Sequence, residues 1–228
     1  MPSSAHHRNR THRREHPVKR RTSALSVSAA ALLVAAPLLT GCAGDTHPGA
    51  AAVVGEDRIT VSQVQSRVET VREAQRATAQ GDVLVEETPA LQRQMVGLMI
   101  FYSLVEQAAE EAGVQVTNRD VQQERAALEE QLGGPEGLAE VALVGQGLPL
   151  AEDQIDEQLR IGLLMAGIGG EGMEGTEEAY ARLTELAEEI GVEVNPRYGT
   201  WDAQQVNLVD AEVPWLRGPA EPADTLGG

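Results

Sequence analysis

Side chains able to carry out covalent or metal chemistry are scarce in this sequence. Of 228 residues one is cysteine, Cys42, and past residue 41 there is no lysine and a single histidine, His47. Each absence excludes something. Ser–His–Asp and Cys–His catalysis need an imidazole base held in a structured cleft, whereas His47 sits in a run of small residues (Ala43–Ala52, AGDTHPGAAA). The usual zinc sites need histidine or cysteine ligands. Schiff-base and P-loop chemistry need lysine. One cysteine cannot form a disulfide within the chain. The inventory implies no catalytic residue, no metal site and no cofactor.

What is abundant is acid. The formal charge is −17, but residues 1–21 hold seven basic residues against Glu15 alone, so from Cys42 onward 11 arginines face 34 acids, a net −23. Such a body repels phosphate backbones, which argues against nucleic acid as a partner. Carboxylate catalysis survives the elimination, and Glu129 with Glu152 is a conceivable pair. General-acid work needs a buried carboxyl, and these acids lie in polar runs of the kind that form solvated helix faces. No EF-hand spacing occurs for calcium.

The N-terminus reads in three parts: a basic stretch to Arg21, an uncharged Ala/Leu/Val stretch ending at Leu39, and Leu39-Thr40-Gly41-Cys42. The apolar run has the length of a signal-peptide core and is broken by Pro37. Leu39-Thr40-Gly41-Cys42 resembles the bacterial lipobox, in which the cysteine is acylated and becomes the first residue of the mature chain. Residues 1–41 are therefore expected to be a lipoprotein signal peptide, Cys42 the lipidation site, and residues 42–52 a flexible tether. Two acyl chains would anchor the protein stably.

Beyond the tether, Val53-Val54 and Ile59-Thr60-Val61 flank Gly-Glu-Asp and suggest a short strand or hairpin. Ser62 with Gln65 predicts a capping box and a helix from Gln63 toward Ala79. Thr88-Pro89 and Gly113 bracket the longest helix, on which Leu91, Met95, Leu98, Tyr102, Val105, Ala109 and Ala112 recur at steps of four and three, widened by Met99, Phe101 and Leu104. Further helices are expected over about 119–132, 136–143 and 149–166. Gly167–Gly175 (GIGGEGMEG) matches G-x-G-x-x-G, but it follows a helix rather than a strand and carries Glu171 and Glu174. It reads as a flexible linker, not a phosphate site. Thr176 would cap a last helix to Ile190 with Tyr180 facing inward, and Val192–Val194 reads as a strand. From Pro214 the sequence is aperiodic, and residues 203–228 are expected to form a disordered tail.

The order of these segments resembles a family. VVGEDRITVSQV, followed by a long apolar helix ending in AEEAGVQVTNRDVQQE, is similar to the N-terminal domain of SurA/PrsA foldases. Gly113-Val114-Gln115-Val116-Thr117 matches that family's helix–helix step, and EIGVEVNPRYGTWD resembles its returning segment. The likeness covers residues 53–202. A parvulin domain commonly interrupts such chains where this one has only Gly167–Gly175, so isomerase activity is not implied.

The resemblance implies a mostly α fold: a single helical domain with a short β-strand pair formed by N- and C-terminal segments. It also implies a chaperone-like holdase at the extracytoplasmic face of the cell membrane, anchored in lipid through Cys42 and binding unfolded or exported polypeptides. Met95, Met99, Phe101, Tyr102, Leu159, Leu163 and Met165 are the candidate client-binding residues. Their spacing fits core packing equally well. An adaptor that binds one folded envelope partner, and a prolyl isomerase, are the alternatives.

Overall fold

In the computed structural model, residues 48–145, 147–170 and 172–210 are described; Cys42, His47 and the leader lie outside them. The described chain is mostly helical, with a few short antiparallel strands.

It begins with a hairpin, β1 (Ala50–Val54) and β2 (Asp57–Thr60), which turns at Gly55 with φ 58°. The C-terminal strand β3 (Val192–Val194) pairs antiparallel with the other edge of β1, placing Val54 opposite Val192. The sheet order is β2-β1-β3, so the N- and C-terminal segments are joined at its centre. Ala50, Ala51 and Ala52, expected in the tether, are thus a buried strand. Their lack of bulk, which resembles spacer composition, lets the strand lie close beneath the helices.

Helix α1 (Val61–Arg76) starts two residues earlier than expected. Thr60, the last residue of β2, caps it by accepting from Gln63 N, and the Gln63 side chain accepts from Thr60 N. A short helix not anticipated from the sequence, α2 (Gly81–Glu87), follows. Thr88 belongs to its end rather than capping the next helix. The Thr88 hydroxyl donates to Leu84 O at 2.8 Å, and its carbonyl accepts from Arg72 at 2.5 Å.

Helix α3 (Leu91–Ala112) is the spine. Leu91, Met95, Val96, Ile100, Leu104, Val105 and Ala108 are fully sealed, and α3 packs against α1, later helices and strands of both sheets. Gly113 ends it in the left-handed conformation, φ 70°, where a residue without Cβ is unstrained. Helices α4 (Asn118–Leu132) and α5 (Pro135–Val144) follow. A 3-10 turn, Glu152–Gln154, then leads into α6 (Ile155–Gly169), later than the expected start near Pro149.

The glycine-rich string is not a flexible linker. Helix α7 (Gly172–Ile190) begins at once, a turn before Thr176, whose hydroxyl instead donates to Gly172 O at 2.9 Å. A Cβ on Gly169 would stand 1.9 Å from Gly175 O, and one on Gly175 would stand 2.2 Å from Gly170 O. The glycines allow two helix ends to touch backbone to backbone. After β3, a second hairpin, β4 (Thr200–Asp202) and β5 (Asn207–Val209), covers part of α3. Residues 203–210, expected in the disordered tail, are therefore ordered by pairing with β4 and packing on α3; residues 211–228 lie outside the described ones. Tyr198 is buried and Trp201 packs against the core. No helix among the described residues is long and apolar enough to cross a membrane.

Candidate functional site

Two adjoining cavities form an open trough along α3. The first, about 640 Å³, lies between α3, α7 and the β4–β5 hairpin, with Gly97, Leu98, Phe101, Tyr180, Val206 and Leu208 among its walls. The second, about 440 Å³, lies between α3, α5 and the start of α6, with Leu138, Val141, Leu150, Ile155 and Leu159 on it. Leu98 and Leu148 line both. Leu148 comes from the loop after α5, where Gly147 and Pro149 flank it. Apolar side chains line the second cavity for the most part, and in the first they alternate with polar ones. Among the polar ones are amides and one cation: Gln94, Gln158, Gln205, Asn207 and Arg93.

Exposure marks this surface. Tyr180 is 42% exposed and Val141 49%, among only a few large apolar side chains that reach solvent in the described residues. Tyr180 was expected to face inward; it stacks instead on Phe101, with ring centroids 6.0 Å apart. Gly97 lies beside Leu208 in the wall, where a Cβ would make ordinary van der Waals contact, 3.6 Å from Leu208 Cβ.

The seven candidate residues are divided by the fold. Phe101 lines the first cavity and Leu159 the second. Met95 is fully buried in the core, the other role its spacing allowed. Met99 and Tyr102 face a separate hollow of about 220 Å³ beside Arg67 and Glu157. There Arg67 grips Glu157 with both guanidinium nitrogens, and Tyr102 donates to Gln158 Oε1 at 2.5 Å. The hydrogen bond to Glu157 raises the Arg67 pKa, with burial opposing. Burial first, then the Glu157 charge, raises the Glu106 carboxyl; Arg160 and Arg67 oppose. Met165 packs partly against the core, and Leu163 is half-buried on α6 and lines neither cavity.

Glu129 and Glu152 are not set up as an acid pair. Arg125 lies between them, 2.8 Å from Glu129 Oε1 and 3.5 Å from Glu152 Oε1, and also holds Asp156 at 2.8 Å. Both carboxylates are bound by the same guanidinium and neither is sealed from solvent, whereas a general acid needs a buried carboxyl. Helical spacing located one wall of the trough. The other walls, Leu148 and the β4–β5 hairpin, are far away in sequence; an isolated leucine between Gly147 and Pro149 was their one local signal.

Comparison with family models gives one match, a SurA-like N-terminal domain over residues 16–131, or 116 residues and just over half of the chain. The chain belongs to this family. The match takes in the segment before the first hairpin, the hairpin itself, α1 to α3, and all but the last residue of α4; it stops short of α5 to α7 and the returning strand. This is a chaperone-like, folding-associated family. Only Gly170 and Glu171 separate α6 from α7, so no further domain is inserted between these two helices. No curated protein and no solved structure matches the chain.

Proposed function

We propose that this SurA-like domain is a lipid-anchored holdase, binding apolar segments of unfolded exported polypeptides at the extracytoplasmic face of the membrane without chemical turnover. The observation that carries this reading is the trough: two adjoining cavities lined by apolar side chains, partly solvent-exposed, with amides and one arginine among them. Unfolded chains offer apolar side chains and unpaired backbone groups. The apolar side chains of the trough take the former and amides such as Gln94 and Gln205 serve the latter. The acidic exterior keeps the loaded protein soluble. Anchoring rests on the lipobox, and replacing the nucleophile by Cys42→Ser should leave the chain unprocessed or release it from membranes; unchanged membrane association rejects the anchor.

Holding is tested by light scattering of several unrelated denatured proteins. The protein should suppress their aggregation at near-stoichiometric ratios. Val141→Asp with Tyr180→Asp, both at exposed positions, should abolish most of that effect while leaving helicity unchanged. Full suppression by the double variant removes the trough from the reading. Saturable capture of one folded envelope protein, with no suppression, replaces the holdase by an adaptor.

A further inference from the structure

The trough has a ligand within reach in the chain itself. β5 supplies Leu208 to its wall, and the chain leaves that strand on its edge. The exit is fastened there. Arg93, which lines the trough, pairs with the Asp210 carboxylate and donates to Leu208 O at 3.2 Å. Eighteen residues follow Asp210, and apart from Leu226 their large apolar side chains fall in one cluster, Val213-Pro214-Trp215-Leu216. Trp215 is one of only two tryptophans in the sequence. From Asp210 to Trp215 is five residues, a reach of up to about 17 Å, enough to carry the indole from the trough's edge into the first cavity.

We propose that residues 213–216 dock in the trough, with Trp215 in the cavity between Phe101, Leu148 and Leu208. The chemistry fits on both sides. A cavity of about 640 Å³ accommodates an indole, and the amides at its edge provide hydrogen-bond acceptors for the indole N–H, which needs one when buried. Pro214 restricts φ and favours an extended polyproline-like form, so less conformational freedom is lost on binding. Docking also covers apolar surface that a monomer would otherwise leave in water. The site therefore prefers a short extended peptide with an aromatic residue beside proline, and the C-terminus is its resident occupant. Docking does not depend on the holdase reading. Its consequence does: a client must displace this segment, so the tail sets the threshold for capture.

The test places the photo-crosslinker p-benzoylphenylalanine at position 215 of the processed chain in phospholipid vesicles. Mass spectrometry should find a crosslink within one chain to peptides containing Leu98, Phe101 or Leu148. Leu148→Asp, a loop substitution, should reduce its yield several-fold with helicity unchanged. Crosslinks chiefly between copies or to lipid overturn the proposal, as does the absence of an intrachain product. On the same vesicles, Trp215→Ser should speed client capture several-fold. An intrachain crosslink without aggregation suppression by either chain leaves docking standing and removes the holdase. Suppression without the crosslink does the reverse.

Discussion

Thr60 and Ser62 both stand three residues before a glutamine, at Gln63 and Gln65, so the sequence offers two capping boxes two residues apart. Pairing decides between them. Thr60 is opposite Ala50 at the end of β2 and keeps extended dihedrals, φ −86° and ψ 152°, which leave its hydroxyl free to accept from Gln63 N. A cap's backbone must be non-helical, and the strand has already arranged this at Thr60. Thr60→Ala should therefore cost about 1 kcal/mol in urea unfolding, while Ser62→Ala should change stability by less than about 0.5 kcal/mol. At Thr117, the cap of α4, a second capping box forms with Asp120. Asp120 accepts from the Thr117 hydroxyl and backbone N–H, and these bonds lower its pKa. A carboxyl depressed in the fold contributes stability above its ordinary pKa, and that contribution is lost as pH falls through the folded value. Unfolding curves taken across the acid range should show this loss in the wild type and lack it in Asp120→Asn. Glu106, raised in the fold, acts with the opposite sign, but it is present in both proteins and cancels in their difference.

At the scale of elements, helix order and most helix ends were legible because apolar periodicity and glycine stops are local signals. The α6–α7 corner was not. Five glycines in nine residues have the composition of a linker, and nothing local reveals that two backbones meet there. Two glycines of α6 test the distinction in opposite directions. Gly162 is exposed, and a Cβ there meets nothing within 4 Å. Gly162→Ala should stabilise the protein by about 0.5–1 kcal/mol through helix propensity and reduced freedom of the unfolded chain. At Gly169 the same substitution drives a methyl to 1.9 Å from Gly175 O and 2.7 Å from Ala179 N. Backbone cannot step aside as a side chain does, so Gly169→Ala should destabilise by about 1–3 kcal/mol. A melting temperature raised by the second substitution would return this segment to the status of a free hinge.

Over the whole molecule, the charge is the property most directly readable from sequence, and the trough is the least. Charge needs only counting. The trough needs α3, the Leu148 loop and the β4–β5 hairpin to converge, and no spacing within one element encodes that. The two features meet in client choice. With a net −23 from Cys42 onward, the domain should attract basic unfolded chains from a distance and slow the approach of acidic ones, while the apolar side chains of the trough hold either once bound. Electrostatic steering of this kind changes association rates by roughly tenfold or more and collapses with salt. At about 1 M salt the screening length falls to about 3 Å, and only the apolar contribution should remain. Stopped-flow capture of two denatured clients matched in hydropathy but opposite in charge should therefore show a large rate difference at low salt that disappears at high salt, with dissociation rates scarcely altered. A preference that survives high salt would place client selection in the trough rather than in the field around it.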